Sequence, residues 1–319
     1  MCYSAQIQAD YHVYRRLWGV EAVSLEQFVQ LYWSPDKSRA ARTPRALDAA
    51  FARGDSETER RIAARIRELA AAREAELQQE LFRQSRRVAD AERALQTRVT
   101  KKAQEDLRIG SGKVGQLRAR LADLHRSTPN AQDSRIYPGW YAPVMIQRDG
   151  VRSLVPMRYQ CRPPAVPAGF DRKFPGTYNA RRDSLDGFWK PLFGYRHAVI
   201  VADAFYENVA RHDAEHRPLR EGESPENLVL EFRPRDRRPM LVACLYAHWK
   251  RGDEELWSFA AITDEPPPEV AAAGHDRCIV PIRAENLDAW LNPDPHDPAA
   301  QYAILDDRDR PYYEHSLAA

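Results

Sequence analysis

The sequence predicts an α+β protein, with an antiparallel sheet body interrupted near its beginning by a long helical segment. Two changes of texture carry that prediction. From Asp55 the composition turns to Ala, Arg, Glu, Gln and Leu, with no Gly or Pro before Gly110; such a run favours helix. After Ser127-Thr128-Pro129-Asn130 it turns again, to short apolar and aromatic runs separated by turn residues, the pattern of strands. With 319 residues, 43% of them hydrophobic, the chain is long enough for one large domain or two ordinary ones.

Taken in order, residues 2 to 8 alternate loosely as a short strand. Tyr11 to Trp33 carries apolar residues at helical spacing, with Phe28, Leu31 and Tyr32 on one face. In the long helical run, Ile62, Ile66, Leu69, Leu77, Leu81, Val88, Leu95 and Val99 form a narrow seam of the coiled-coil kind, which needs a partner helix. The run must return to the body, and a fold-back near Ser85 is one way to do so. Its Arg-rich faces (Arg60, Arg61, Arg65, Arg67; Arg83, Arg86, Arg87) have Glu interspersed, as a solvated flank does, and they also suit acidic partners or DNA phosphates. Strands are expected over 134–147 with a break at Pro138-Gly139, then over 151–157, 197–205, 227–232, 240–248 and 256–263. Short helices are expected over 184–193, 267–273 and 285–291.

A net charge of +2 and a pI near 8.3 establish no nucleic-acid partner, so any such claim rests on local clustering of Arg and Lys. The four cysteines, Cys2, Cys161, Cys244 and Cys278, include no CxxC pair, which argues against a zinc site or a disulfide framework and fits a reducing cytoplasm. No apolar run approaches the roughly 20 residues of a membrane span, and the start lacks a signal peptide's features. No metal and no cofactor is expected.

Four places carry chemistry. Cys2 follows Met1, and removal of Met1 leaves a thiol beside a free α-amine, with reference pKa values of about 8.5 and about 7.7 to 8.0. Such a terminus closes a thiazolidine on an aldehyde. The stretch Thr177 to Asp183 places Asn179 beside Arg181 and Arg182, an amide that orients an amine or sugar hydroxyl and forks that suit phosphate. Glu207 closes the apolar strand that runs from His197, where desolvation suits a proton shuttle. His275, in Gly274-His275-Asp276-Arg277, titrates near neutrality.

In type and order these stretches resemble the SRAP family, the SOS response-associated peptidases, whose members react with abasic sites in DNA. The resemblance rests on Met1-Cys2, Asn179-Ala180-Arg181 with Asp183, Phe205-Tyr206-Glu207, and His275-Asp276-Arg277 with Pro281, supported by Ala260-Ala261-Ile262-Thr263 and Leu154-Val155-Pro156. Tyr3-Ser4 stand where the family usually has Gly-Arg, and Asn208 where it commonly has Trp.

The resemblance implies a mainly antiparallel, barrel-like body (1–23 and 128–319) and a helical insertion (24–127) foreign to the compact family domain. It implies Cys2, Asn179, Glu207 and His275 as catalytic residues and Arg181, Arg182, Arg277, Arg158 and Thr263 as DNA contacts. It further implies N-terminal autoprocessing and a covalent thiazolidine crosslink to ring-opened abasic sites in single-stranded DNA, by a protein that is cytoplasmic and nucleoid-associated when bound. The helical insertion is left open to an unknown protein partner. Two rival readings use the same residues or none of them: an N-terminal-cysteine peptidase or amidase, and a non-catalytic protein whose coiled coil does the work.

Overall fold

A computed structural model of the chain describes residues 3–33 and 41–318. Its contacts divide the chain into two units, Met1–Gly54 with Ala131–Ala319, and Asp55–Asn130.

The first unit opens with β1 (Ser4–Ile7), α1 (Tyr11–Trp18), β2 (Ala22–Val23), α2 (Leu25–Tyr32) and α3 (Arg45–Phe51). The helical spacing over Tyr11 to Trp33 is thus split in two, because Ala22 and Val23 pair in parallel with Ser153 and Leu154. Phe51 gathers the three helices, its ring centroid lying 5.0, 5.2 and 6.0 Å from those of Tyr11, Phe28 and Tyr32. Helices α2 and α3, which the sequence reading placed in the 24–127 helical insertion, therefore belong to the unit that holds the sheet.

The second unit is a helical hairpin of α4 (Glu57–Thr97) and α5 (Lys101–His125). Ser56 and Glu59 form a reciprocal capping box that starts α4, and the Thr100 hydroxyl accepts from Ala103 N–H at 3.1 Å to start α5. The fold-back falls at Arg98–Thr100 rather than near Ser85, where the Thr100 cap begins a new helix. Helix α5 runs straight through Gly110-Ser111-Gly112. Gly110 serves packing: a Cβ there would sit 2.8 Å from Val88 Cγ2. The expected seam finds its partner in α5, with Leu77 and Ala91 buried opposite a face that buries Ala103 and Leu117. Leu69 is exposed, because α5 ends at His125, whose Nε2 lies 3.0 Å from Glu74.

The first unit resumes with β3 (Arg135–Ile136), β4 (Tyr141–Arg148), β5 (Val151–Tyr159), α6 (Phe170–Lys173), β6 (Asn179–Arg181), β7 (His197–Ala210), α7 (Arg211–Ala214) and β8 (Asn227–Pro234). There follow β9 (Met240–Arg251), β10 (Glu254–Asp264), α8 (Pro268–Ala272), β11 (Cys278–Ile279), β12 (Pro281–Ile282), α9 (Leu287–Leu291), α10 (Pro298–Asp306) and β13 (Tyr313–Leu317). Strands β9, β10, β5, β4 and β7 form a closed five-stranded barrel, completed by the β7–β9 pairing that aligns Val199 with Ala243. The barrel is mixed: β5 and β6 both run parallel to β10.

No helix forms over 184–193. A 3-10 turn at Arg182–Ser184 leads into successive i to i+3 turns around Gly187 and Pro191, while Trp189, Leu192 and Phe193 still bury their side chains. Among the described residues, no helix is long and apolar enough to cross a membrane. Cys161, Cys244 and Cys278 are buried free thiols, and burial pushes Cys161 up to about 12.

Candidate functional site

Glu207 does not close its strand. β7 continues to Ala210 because β8 supplies a ladder for it, pairing Glu207 with Leu230 and Ala210 with Asn227. A polar pair at Glu207-Asn208 looks like a strand end in the sequence, and only the neighbouring strand reveals otherwise. The Glu207 side chain is wholly buried.

The loop after α8 reaches this carboxylate through Gly274. Its φ of +91° is disfavoured for side chains, and an added Cβ would lie 2.9 Å from both Val209 Cγ1 and Asp213 Cβ. Glycine thus lets the loop press against the end of β7 and the start of α7. The next residue, His275, places Nε2 3.3 Å from Glu207 Oε2. Its Nδ1 lies 2.8 Å from the Arg277 carbonyl oxygen, a distance that fits an Nδ1–H donor. With that proton on Nδ1, Nε2 is the ring's proton-accepting atom, and it faces the Glu207 carboxyl. Burial holds His275 below the ordinary histidine value, with the Arg277 carbonyl acting in the opposite direction, so the ring gives up a proton more readily than a solvated imidazole.

Strand β10 brings the other two motifs together. Thr263 pairs with Arg181 of β6 on one side and with Ile279 of β11 on the other, so Asn179-Ala180-Arg181 and the segment that follows His275 flank one residue. Asn179 is buried, and its Oδ1 accepts from the Tyr159 hydroxyl at 3.3 Å. Thr263 is also buried, and its hydroxyl has no hydrogen-bond partner among the described residues.

The arginines differ in how they are engaged. Arg181 is exposed and pairs with Asp183, whose carboxyl is held below the usual range first by Arg181 and then by the Ser184 hydroxyl, with Arg277 contributing at longer range. Arg277 lies 3.7 Å from Asp276. Arg182 is spanned between Asp264 and Asp306. Arg158 is committed to Asp171 at 2.6 Å, a carboxylate it shares with Arg162.

Cys2 lies outside the described residues. Tyr3, to which it is joined, donates its N–H to the Tyr206 carbonyl at 3.2 Å, and Ser4 pairs with Tyr206, the residue before Glu207. Arg135 fixes this corner by donating to the Ser4 hydroxyl at 3.0 Å while its guanidinium lies 3.6 Å from the Tyr206 ring centroid. Sequence reasoning passed over Arg135 and Tyr159 and gave Gly274 no role of its own. A lone Arg beside a short apolar run and a Gly immediately before the His were the signals available for two of them. Among the described residues, no group of three or more His, Cys, Asp or Glu side chains is placed to hold a metal ion.

A family model for the SOS response associated peptidase (SRAP) matches residues 91–317, which hold Asn179, Glu207 and His275. No curated protein matches the chain. Among solved structures, a protein from Bordetella bronchiseptica is similar at 19% identity and a TM-score of 0.45, covering 63% of this chain and 95% of that one. A protein from Bacteroides thetaiotaomicron is similar at 16% identity and 0.45, covering 58% and 78%. A phage-related protein from Bordetella bronchiseptica is similar at 22% identity and 0.42, covering 61% and 85%.

Proposed function

The chain belongs to the SOS response-associated peptidase family, and from that premise we propose that it captures ring-opened abasic sites in single-stranded DNA as a covalent thiazolidine on Cys2. The observation that carries the reading is the buried Glu207 carboxylate 3.3 Å from His275, one residue along β7 from the partner of Ser4. A buried acid–base pair beside the strand that leads from Cys2 is what a condensation requires.

In this reaction the abasic sugar opens when its C1 hydroxyl loses a proton, the ring C–O bond breaks, and the ring oxygen is protonated, leaving an aldehyde. Neutral His275 takes the hydroxyl proton. The α-amine of Cys2, freed by removal of Met1, adds to the aldehyde carbon, and loss of one water gives a Schiff base. The thiol then adds across the C=N bond and its proton passes to nitrogen, closing the ring with no net oxidation. Glu207 moves the protons that addition and dehydration demand. Asn179, oriented by Tyr159, holds the amine or the sugar. The exposed Arg181–Asp183 pair is the weak kind that a phosphate replaces at little cost, so Arg181, with Arg277, takes the flanking backbone. An unpaired strand is the substrate because it enters without the cost of unstacking a duplex.

The test turns on Met1, since retaining it makes the Cys2 nitrogen an amide that forms no Schiff base. Protein with Met1 removed, incubated with an abasic oligonucleotide, should gain the oligonucleotide's mass minus one water in intact-mass spectrometry. Protein retaining Met1 should bind and gain nothing. Equal crosslinking by both forms would overturn the amine as nucleophile and favour thiol-only, peptidase-like chemistry.

A further inference from the structure

The far end of the α4–α5 hairpin concentrates positive charge that the crosslinking chemistry does not use. From Arg83 to Arg108 there are eight cationic residues against four acidic ones, a local net of +4, while the whole chain carries only +2. Several of these cations are internally matched: Arg87 bridges to Asp106, Arg93 to Asp90 and Arg108 to Glu105. Arg86, Arg98, Lys101 and Lys102 are exposed and enter no ion pair among the described residues.

Two further features single out this end of the hairpin. Lys101 and Lys102 fill the first turn of α5, which holds no acidic residue. Cations there oppose the helix macrodipole, and an anion bound at the tip reverses that opposition. Between the helices runs a groove of about 480 Å³, floored by Ala91, Ala94 and Ala103 and flanked by Arg86 from α4 and Lys102 from α5. An alanine floor offers no pocket for the aromatic or arginine anchors on which protein interfaces depend, whereas it leaves the cations free to approach a backbone of phosphates.

We propose that this hairpin tip is a sequence-independent arm that grips the phosphate backbone of duplex DNA. Duplex is preferred over single strand because single-strand binding draws on aromatic stacking, and Phe82 is the only Phe, Tyr or Trp between residues 55 and 130. A duplex presents a phosphate charge about every 1.7 Å of axis, and each cation that neutralises one releases a counterion. The arm goes beyond the thiazolidine chemistry and is tested separately from it.

The experiment is fluorescence anisotropy of the full-length chain with an undamaged 20-bp duplex over a salt series, comparing wild type with R86A/R98A/K101A/K102A. Circular dichroism confirms that the hairpin stays helical, as exposed alanines should allow. The variant's slope of log affinity against log salt should be shallower by about 4, roughly one per cation removed, while its crosslinking to a single-stranded abasic oligonucleotide stays at the wild-type level. An unchanged slope and affinity would overturn the arm. So would substitutions that weaken binding to a single strand of equal length as much as binding to the duplex, or a parallel loss of crosslinking, which would place these cations at the reaction site. Wild-type protein that grips the duplex through these residues yet forms no crosslink would leave the arm standing and refute the thiazolidine reading alone.

Discussion

Replacing the Glu207 carboxyl by an amide of the same shape removes a proton carrier while keeping the shape of an enclosed side chain that lies 3.3 Å from the His275 ring. Glu207→Gln should therefore slow single-turnover crosslinking by about 10² to 10⁴, the usual worth of a positioned acid–base group. Binding to the same oligonucleotide, measured by anisotropy, should change little. A rate equal to wild type would remove Glu207 from the mechanism. The Tyr159 hydroxyl donates to the Asn179 amide oxygen at 3.3 Å, which fixes which way that amide faces.

At the scale of elements, the hairpin depends on the close approach of α4 and α5 at Gly110. Alanine is ordinarily the better helix former by about 0.8–1.0 kcal/mol, and at Gly115, where nothing lies within 4 Å of a new Cβ, Gly115→Ala should stabilise the hairpin by about that amount. At Gly110 the new Cβ would overlap the stiff, β-branched Val88. Gly110→Ala should therefore destabilise, and the double substitution Gly110→Ala with Val88→Ala should recover part of the loss. Thermal melts of the three variants read these signs directly. A stabilising Gly110→Ala would mean that the helices do not pack there.

For the whole molecule, the response to acid is set by buried groups of opposite sign. His197 donates through Nδ1 to the Trp290 carbonyl and accepts from Gly194 N–H, which fixes it as the neutral ring, and burial pushes its pKa down to about 3. Below its unfolded value of about 6.5, the unfolded chain binds a proton that the folded chain refuses. Stability from this residue is full above pH 6.5 and is lost progressively as pH falls toward 3. Asp48 acts in reverse. Burial pushes it up to about 6 against the hydrogen bonds from Tyr32 and Thr43, so folding gains at this residue as pH falls from about 6 to the unfolded value. Urea midpoints measured from pH 7 to 4 should fall less steeply in His197→Gln than in wild type, after allowing for that variant's lower stability at pH 7. Parallel curves would show that His197 takes up its proton while folded.

The sequence by itself determined the α+β class, the long helical run and the positions of most strands, because these follow from chain-local propensity and from periodicities of about 3.6 and 2 residues. It also ordered Asn179, Glu207 and His275 along the chain so that their family could be recognised. Tertiary structure alone decided that α2 and α3 belong with the sheet unit rather than with the hairpin, and that β5 and β6 lie parallel to β10. It alone carried β7 past Glu207 and brought His275 to within 3.3 Å of it. Each of these depends on a partner remote in sequence: β8 for the end of β7, Val209 and Asp213 for Gly274, Val88 for Gly110. A strand's length and a loop's path are fixed by whichever neighbour supplies the hydrogen bonds and the space, and chain-local pattern does not specify that neighbour.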